Sequence, residues 1–112
     1  MGQPAIHPGV ILRQELKALD VTPTELSRQI DVPPNRISQI IQGKRSITGD
    51  TALRLAHWFK TSPEFWLDLQ TAYDVRLAQQ AFGVAIQHLP TKPTSPRQIE
   101  RQGPSKRLAR SG

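Results

Sequence analysis

The chain has 112 residues, which is enough for one small domain with a modest hydrophobic core. It contains no cysteine, so a disulfide scaffold and a thiolate metal site are both excluded. No apolar run approaches the roughly 20 residues needed to span a bilayer, and the N-terminus lacks the charged and apolar regions of a signal peptide. We therefore expect a cytoplasmic protein.

The net charge of +6 is concentrated near the C-terminus. Residues 91–112 hold six Lys/Arg and one Asp/Glu, whereas residues 1–90 hold nine Lys/Arg and eight Asp/Glu. The last 22 residues are also rich in Pro, Ser and Gln and poor in apolar side chains, a composition typical of disorder. We predict a folded domain in residues 1–90 and a basic, disordered tail in residues 91–112. Nucleic acid is the tail's most compatible partner, and the alternative is a solvated tail without a partner.

The first predicted helix runs from about Pro8 to Leu19. Proline suits the opening turn of a helix, and Leu12, Leu16 and Leu19 repeat at helical spacing. Ile11 lies beside them in the sequence, and this apolar spacing favours a helix.

A second helix begins at Thr22-Pro23, where threonine can cap the free amides and proline suits the first helical position. Glu25 completes a capping box in the pattern T-x-x-E. The segment Asp31-Val32-Pro33 ends this helix, because proline cannot continue the hydrogen-bond ladder. Pro34 is predicted to open a third helix, which stops near Gly43.

The third helix has the pattern of a recognition helix, the helix that lies in the major groove of DNA. Ile37, Ile40 and Ile41 follow the spacing of one buried stripe. The polar residues that this stripe directs outward are the predicted base contacts, Asn35, Arg36, Ser38, Gln39 and Gln42. Arginine suits guanine, and the amides suit adenine. The alternative is an ordinary amphipathic helix with a solvated polar face.

Basic and hydroxyl side chains flank this helix. We predict contacts with DNA phosphates for four of them, Arg28, Lys44, Arg45 and Thr48. Thr48 is also a plausible cap for a fourth helix. The inner stripe of that helix is predicted to contain Ala52, Leu55, Ala56 and Phe59.

The fifth helix begins at Ser62-Pro63-Glu64, a capping serine followed by a first-turn proline and acid. It is predicted to extend to about Ala81 and to weaken or end at Gly83; the sequence leaves open whether Val84-Ala85-Ile86 forms a short apolar extension. Its apolar residues exceed what a five-helix domain readily buries, so we predict a homodimer interface formed by Trp66, Leu69, Tyr73 and Leu77. The alternative is that these four residues fill the core of the monomer.

Catalytic and metal-binding patterns are weak. The three histidines, His7, His57 and His88, do not have metal-ligand spacing. No pair of a nucleophile and a base stands out, so we expect a protein that is not an enzyme and needs neither cofactor nor metal. No stretch shows convincing strand alternation, and the chain is predicted to be all-α.

Several motifs occur together in an order that resembles a known family. They are His7-Pro8-Gly9, the two-helix unit, Gly43-Lys44-Arg45, Ile47-Thr48, Ala52-Leu53-Arg54-Leu55-Ala56 and the pattern SPEFWL-x-LQ-x-x-YD at Ser62 to Asp74. The chain thus resembles the HigA-type antitoxins, also called the VapI or plasmid-maintenance antidote group, a branch of the XRE helix-turn-helix regulators. The resemblance covers about residues 5–80 and excludes the basic tail.

The resemblance implies a five-helix, lambda-repressor-like helix-turn-helix domain that dimerises and represses its own operon. It also implies neutralisation of a HigB toxin, a RelE-like ribosome-dependent mRNA endonuclease. Because one recognition helix contacts few base pairs, we expect a palindromic double-stranded operator with two half-sites. Two features depart from the family pattern: Asp31 replaces a common glycine in the turn, and Pro33-Pro34 stiffens the start of the recognition helix.

Two other functions remain open at this point. The chain can be a stand-alone XRE-type regulator without a toxin partner. It can also be an interaction module whose helix-turn-helix has lost DNA binding.

Overall fold

Five α-helices form the fold in the computed structural model, which describes residues 4–94. They are α1 (Pro8–Leu19), α2 (Pro23–Gln29), α3 (Arg36–Ile41), α4 (Gly49–Phe59) and α5 (Pro63–Gln87). The described residues contain no strand, in agreement with the predicted all-α class. None of the helices within residues 4–94 is both long and apolar enough to cross a membrane. Residues 95–112, most of the tail predicted to be disordered, lie outside the described residues.

The chain divides into two compact units, Met1–Ala81 and Phe82–Gly112. The first unit contains α1 to α4 and most of α5, and the core described below belongs to it. In the second unit, the described residues expose four large apolar side chains, Phe82, Val84, Ile86 and Leu89.

Three helices begin where the sequence predicts, each with a proline in the first turn and a side chain that caps the free amides. At α1, Nδ1 of His7 accepts a hydrogen bond from the amide of Gly9 at 2.9 Å. At α2, Oγ1 of Thr22 accepts from the amide of Glu25 at 3.1 Å. At α5, Oγ of Ser62 accepts from the amide of Phe65 at 3.1 Å. These local bonds fix the start of each helix.

The hydrophobic core combines apolar residues from all five helices with two residues that flank helices, Ile30 and Ile47. Its buried members are Leu12, Leu16, Leu26, Ile30, Ile37, Ile40, Ile47, Ala52, Leu55, Ala56 and Trp66. Helix α3 packs against both α1 and α2. The third helix is therefore held by its isoleucine face, and its other face is left toward solvent.

The ends of α1 and α5 show two features that the sequence left open. Leu19 continues the helical spacing of the buried Leu12 and Leu16, but it is 53% exposed because it is the last residue of α1, just before the left-handed Asp20 cap. Helix α5 continues through Gly83 to Gln87. A single glycine costs only about 1 kcal/mol relative to alanine within a helix, which is too little to end a long one.

Candidate nucleic-acid interface

All five residues predicted to contact bases lie on α3 or at its two ends. Asn35 and Gln42 occupy the cap positions, whereas Arg36, Ser38 and Gln39 lie on the helix itself. Asn35 and Gln42 are exposed, and Arg36 and Gln39 are half-buried. The isoleucines behind them, Ile37 and Ile40, are fully buried. The polar face of α3 is thus presented on a rigid, core-anchored support.

The start of α3 differs from the prediction. Pro34 does not open the helix, because the amide of Arg36 donates to the carbonyl of Pro33 at 2.9 Å and closes a turn through residues 34 and 35. The helix then begins at Arg36, and the Asn35 side chain makes no capping bond. Asn35 therefore lies in a turn just before the helix, with its amide group free of a capping role.

Two side chains from outside α3 fix its geometry, and the sequence patterns indicated neither of them. Oγ of Ser27, fully buried in α2, accepts a hydrogen bond from the amide of Ile37 at 3.3 Å. Nη1 of Arg54, in α4, donates to the carbonyl of Ile30 at 2.8 Å and to that of Asp31 at 3.2 Å. Arg54 therefore binds the carbonyl end of α2, where a positive charge is favourable.

Asp31 is the turn residue that departs from the family's usual glycine. Its φ of 60° places it in the left-handed region, which aspartate tolerates better than most residues. The carbonyl that Arg54 binds belongs to this same residue. The interaction stabilises an uncommon backbone conformation, so the turn retains its shape without a glycine.

The four residues predicted to contact phosphate are all exposed: Arg28, Lys44, Arg45 and Thr48. Gly43, with φ of 77°, follows the end of α3, and the amide of Lys44 donates back to the carbonyl of Gln39 at 2.9 Å. Thr48 is the N-cap residue of α4, but its hydroxyl makes no capping bond. We call residues 44–48 the α3–α4 loop; three of the four side chains project from it.

Arg28 is held by an ion pair in the unbound protein. Its guanidinium pairs with the carboxylate of Glu25, and Nε donates to Oε1 at 3.1 Å. Hydrogen bonds from Arg28 and then from Gln29 lower the pKa of Glu25 to about 2. The predicted capping box is thus only half formed, because the Glu25 side chain turns to these partners. The pair is exposed and therefore weak, so it is a small obstacle to contact between Arg28 and a phosphate.

The predicted dimer residues separate into two groups. Trp66 is 1% exposed, and its Nε1 donates to Oγ1 of Thr61 at 3.0 Å. Its assignment to a dimer interface is therefore wrong: it is a core residue with no surface left to bury. Leu69 and Tyr73 are more exposed than Trp66, and Leu77 is on the surface side of α5 with them. These three remain candidates for an interface.

A shallow groove of about 310 Å³ adjoins this part of α5. It is lined by Pro4, Ala5, Ile6, Pro8, Ile11, Leu69, Ala72, Tyr73 and Arg76. At its edge the ring of Tyr73 packs edge-on against the His7 ring, with centroids 4.8 Å apart. Within the described residues, no three His, Asp or Glu side chains form a group suited to a metal ion.

Comparison with known proteins supports a nucleic-acid interface. The helix-turn-helix family model matches residues 12–66. Virulence-associated protein I of Dichelobacter nodosus is 47% identical over 78 residues, which cover 69% of this chain and 72% of that protein.

Two solved structures are similar in both sequence and fold. An addiction module antidote protein of a HigA family from Coxiella burnetii has 47% identity and a TM-score of 0.79, covering 81% of this chain and 100% of its own. The Pseudomonas aeruginosa antitoxin HigA, determined with the higBA promoter, has 38% identity and a TM-score of 0.75, covering 81% and 99%. The part of the chain that carries α3 therefore has a relative whose structure was determined with DNA.

Proposed function

Because the chain belongs to the helix-turn-helix family of XRE-type regulators, we propose that it is the antitoxin of a type II toxin–antitoxin system. In this role it binds its own operator as a repressor and neutralises a HigB/RelE-like mRNA endonuclease. Proteins named in this family are regulators and antitoxins, which act by binding and not by catalysis. The observation that carries the DNA-binding part is the position of α3, anchored by buried Ile37 and Ile40 with its polar face outward.

Base recognition in this proposal belongs to the outward face of α3. Arg36 is the candidate for a guanine contact and Gln39 for an adenine contact, since their side chains match the donor and acceptor patterns of those bases in the major groove. Asn35, Ser38 and Gln42 contribute the remaining contacts at the helix ends and flank. A helix of six residues reaches only a few base pairs, so the operator requires two half-sites.

Phosphate contacts belong to the side chains around α3. Lys44, Arg45 and Thr48 project from the α3–α4 loop, and Arg28 lies at the end of α2. Such contacts position the protein on the duplex without selecting a sequence. The net charge of residues 1–90 is only +1, so this local group, and not the whole domain, supplies the attraction.

The second half-site requires a second copy of the chain. We propose a two-fold homodimer in which Leu69, Tyr73 and Leu77 of α5 contribute apolar surface. In this proposal residues 1–90 are the DNA-binding and dimerisation domain. Sedimentation at micromolar concentration tests this directly. A monomer that retains wild-type operator affinity would contradict it. Leu77→Glu should give a monomer, and that monomer should bind the operator much more weakly than wild type. Leu53→Glu, at an exposed leucine of α4, is the matched control.

The deciding experiment is a gel shift of the purified protein on its own upstream DNA, with and without the product of the adjacent gene. The proposal expects a specific complex whose mobility or affinity changes when that product is added, and a paired assay in which the chain blocks mRNA cleavage by the same product. Specific binding with no effect of the neighbour identifies a stand-alone regulator. Weak binding that does not depend on sequence identifies an interaction module.

A further inference from the structure

One polar side chain of α5 is buried and contacts the α3–α4 loop, although the two are far apart in sequence. Gln70 is only 5% exposed. Its Oε1 accepts a hydrogen bond from the backbone amide of Ile47 at 2.8 Å. Its Nε2 donates to Oδ1 of Asp74 at 3.0 Å. Both ends of the side-chain amide are thus satisfied.

The bond to Ile47 matters because of where that residue lies. Ile47 is 3% exposed and is the buried member of the α3–α4 loop, between Lys44, Arg45 and Thr48, the proposed phosphate contacts. A loop amide has no helical partner, and a buried amide without an acceptor is costly. The side-chain oxygen of Gln70 therefore ties this loop to α5 at Ile47.

Asp74 fixes which way the Gln70 amide faces. A carboxylate only accepts hydrogen bonds, so the NH₂ group of Gln70 must face it, and the carbonyl oxygen is left for Ile47. The two residues are four apart, on one side of α5. His7, the cap of α1, reaches the same loop: its ring interacts with the backbone of Arg45 and with the charge of Asp74.

We infer that Gln70, oriented by Asp74, is a positioning residue for DNA binding: it holds the α3–α4 loop so that Lys44, Arg45 and Thr48 meet the phosphate backbone. Gln70 itself is buried and does not touch DNA. The inference rests on the proposed DNA-binding function and adds a residue of α5 to the DNA-binding machinery.

Asp74→Ala gives a test in which electrostatics and positioning predict opposite results. Removing a negative charge from a DNA-binding protein should strengthen binding to DNA. The inference instead expects about tenfold weaker binding to operator and random DNA alike, equivalent to about 1.4 kcal/mol, with a smaller slope of log K against log salt. Asp68→Ala, at an exposed aspartate on the same helix, is the matched control and should bind as tightly as wild type or tighter.

A second pair of variants tests the direction of the hydrogen bonds. Gln70→Glu keeps an acceptor for Ile47 but sets two carboxylates against each other, so DNA binding should weaken. Adding Asp74→Asn restores a donor opposite the new carboxylate and should recover most of the missing affinity. Gln79→Glu, an exposed residue of α5, corrects for the added charge alone. Sedimentation of every variant is the control that checks whether the oligomeric state is unchanged.

Amide exchange separates positioning from general stability. Asp74→Ala should speed exchange at Ile47 and its loop neighbours while the core amides of Leu12 and Leu55 stay protected. Asp74→Ala that binds DNA like Asp68→Ala would overturn the inference and leave the proposed function intact. Wild-type protein that binds no DNA would instead overturn the proposed function, and the inference with it.

Discussion

Gln39 and Arg45 are joined by a hydrogen bond, from Nε of Arg45 to Oε1 of Gln39, at 2.9 Å. One is a proposed base contact on α3 and the other a proposed phosphate contact in the α3–α4 loop. The bond leaves Nε2 of Gln39 and the terminal nitrogens of Arg45 available to DNA. Arg45 therefore orients the amide that is to contact a base, and the two kinds of contact are coupled.

This coupling gives the first prediction. Gln39→Ala and Arg45→Ala should each weaken operator binding, and the double variant should lose less than the sum, with a coupling energy of about 0.5–3 kcal/mol. The measurement is a double-mutant cycle of operator affinities by fluorescence anisotropy. Gln42→Ala with Arg45→Ala is the control cycle and should be additive. Additive losses in both cycles would show that the bond opens on DNA.

The division between base and phosphate contacts is best tested with Arg36 and Lys44, which lie outside this pair. Arg36→Ala should cost roughly 1–3 kcal/mol on the operator and relax the preference at one base pair. Lys44→Ala should weaken all sequences alike and reduce the salt slope by about 1. Competition between operator and random DNA distinguishes the two. Identical behaviour of the two variants would contradict the assignment.

The start of helix α1 requires a residue without a side chain. A Cβ built on Gly9 would lie 2.1 Å from the carbonyl oxygen of Ile40, so the backbone of α1 rests directly on the end of α3. Gly9→Ala should therefore destabilise the fold by about 1–3 kcal/mol or more, as forced overpacking does. Gly49→Ala, where a Cβ meets nothing within 4 Å, should be neutral or slightly stabilising. Urea unfolding of the two variants makes the comparison, and equal stabilities would contradict the close approach.

Local patterns in the sequence predicted the fold well where the determinants are themselves local. The prolines at residues 8, 23 and 63, each after a capping residue, mark the three helix starts that the structure confirms. The isoleucine spacing of α3 likewise predicts which face is buried, because helical periodicity needs only neighbours in sequence. The sequence motifs also led to the helix-turn-helix family.

Features that depend on packing between elements could not be predicted in this way. The spacing of Trp66 left the core and a dimer interface both open, and its contacts with Phe59 and Thr61 decide for the core. Ser27, Arg54 and Gln70 bind backbone groups 10 to 24 residues away in sequence. No local pattern encodes such a bond. The start of α3 was missed for a different reason: a local turn, closed by the bond from the amide of Arg36 to the carbonyl of Pro33, replaces the helix start that Pro34 favours.

Because His7 caps α1 as a neutral ring, we expect the free energy of unfolding to depend on pH. Burial lowers the pKa of His7, although the Asp74 carboxylate and the backbone of Arg45 act in the opposite direction. The neutral ring is favoured because its Nδ1 must accept the bond from Gly9. Below about pH 6.5, the usual pKa of histidine, the unfolded chain therefore binds more protons than the native one, and the free energy of unfolding should fall as the pH falls.

His7→Asn isolates this effect, because asparagine is a good cap that does not titrate. Urea unfolding from about pH 8 to about pH 5.5 should show a smaller decline for the variant than for wild type. Equal slopes for the two proteins would show that His7 does not control the decline.

The basic tail gives the last prediction, from its charge alone. Residues 91–112 carry six Lys/Arg against one Asp/Glu, and a RelE-like toxin is itself expected to be basic, so nucleic acid is the more compatible partner. Deleting residues 91–112 should leave the dimer and toxin neutralisation intact. It should lower affinity for operator and random DNA by similar factors and reduce the salt slope by several units, because each phosphate that the tail neutralises adds about 0.9 to that slope. A variant with the six basic residues changed to glutamine keeps the length and should match the deletion. An unchanged slope would mean that the tail does not bind DNA, and a failure to bind toxin would place the toxin on the tail.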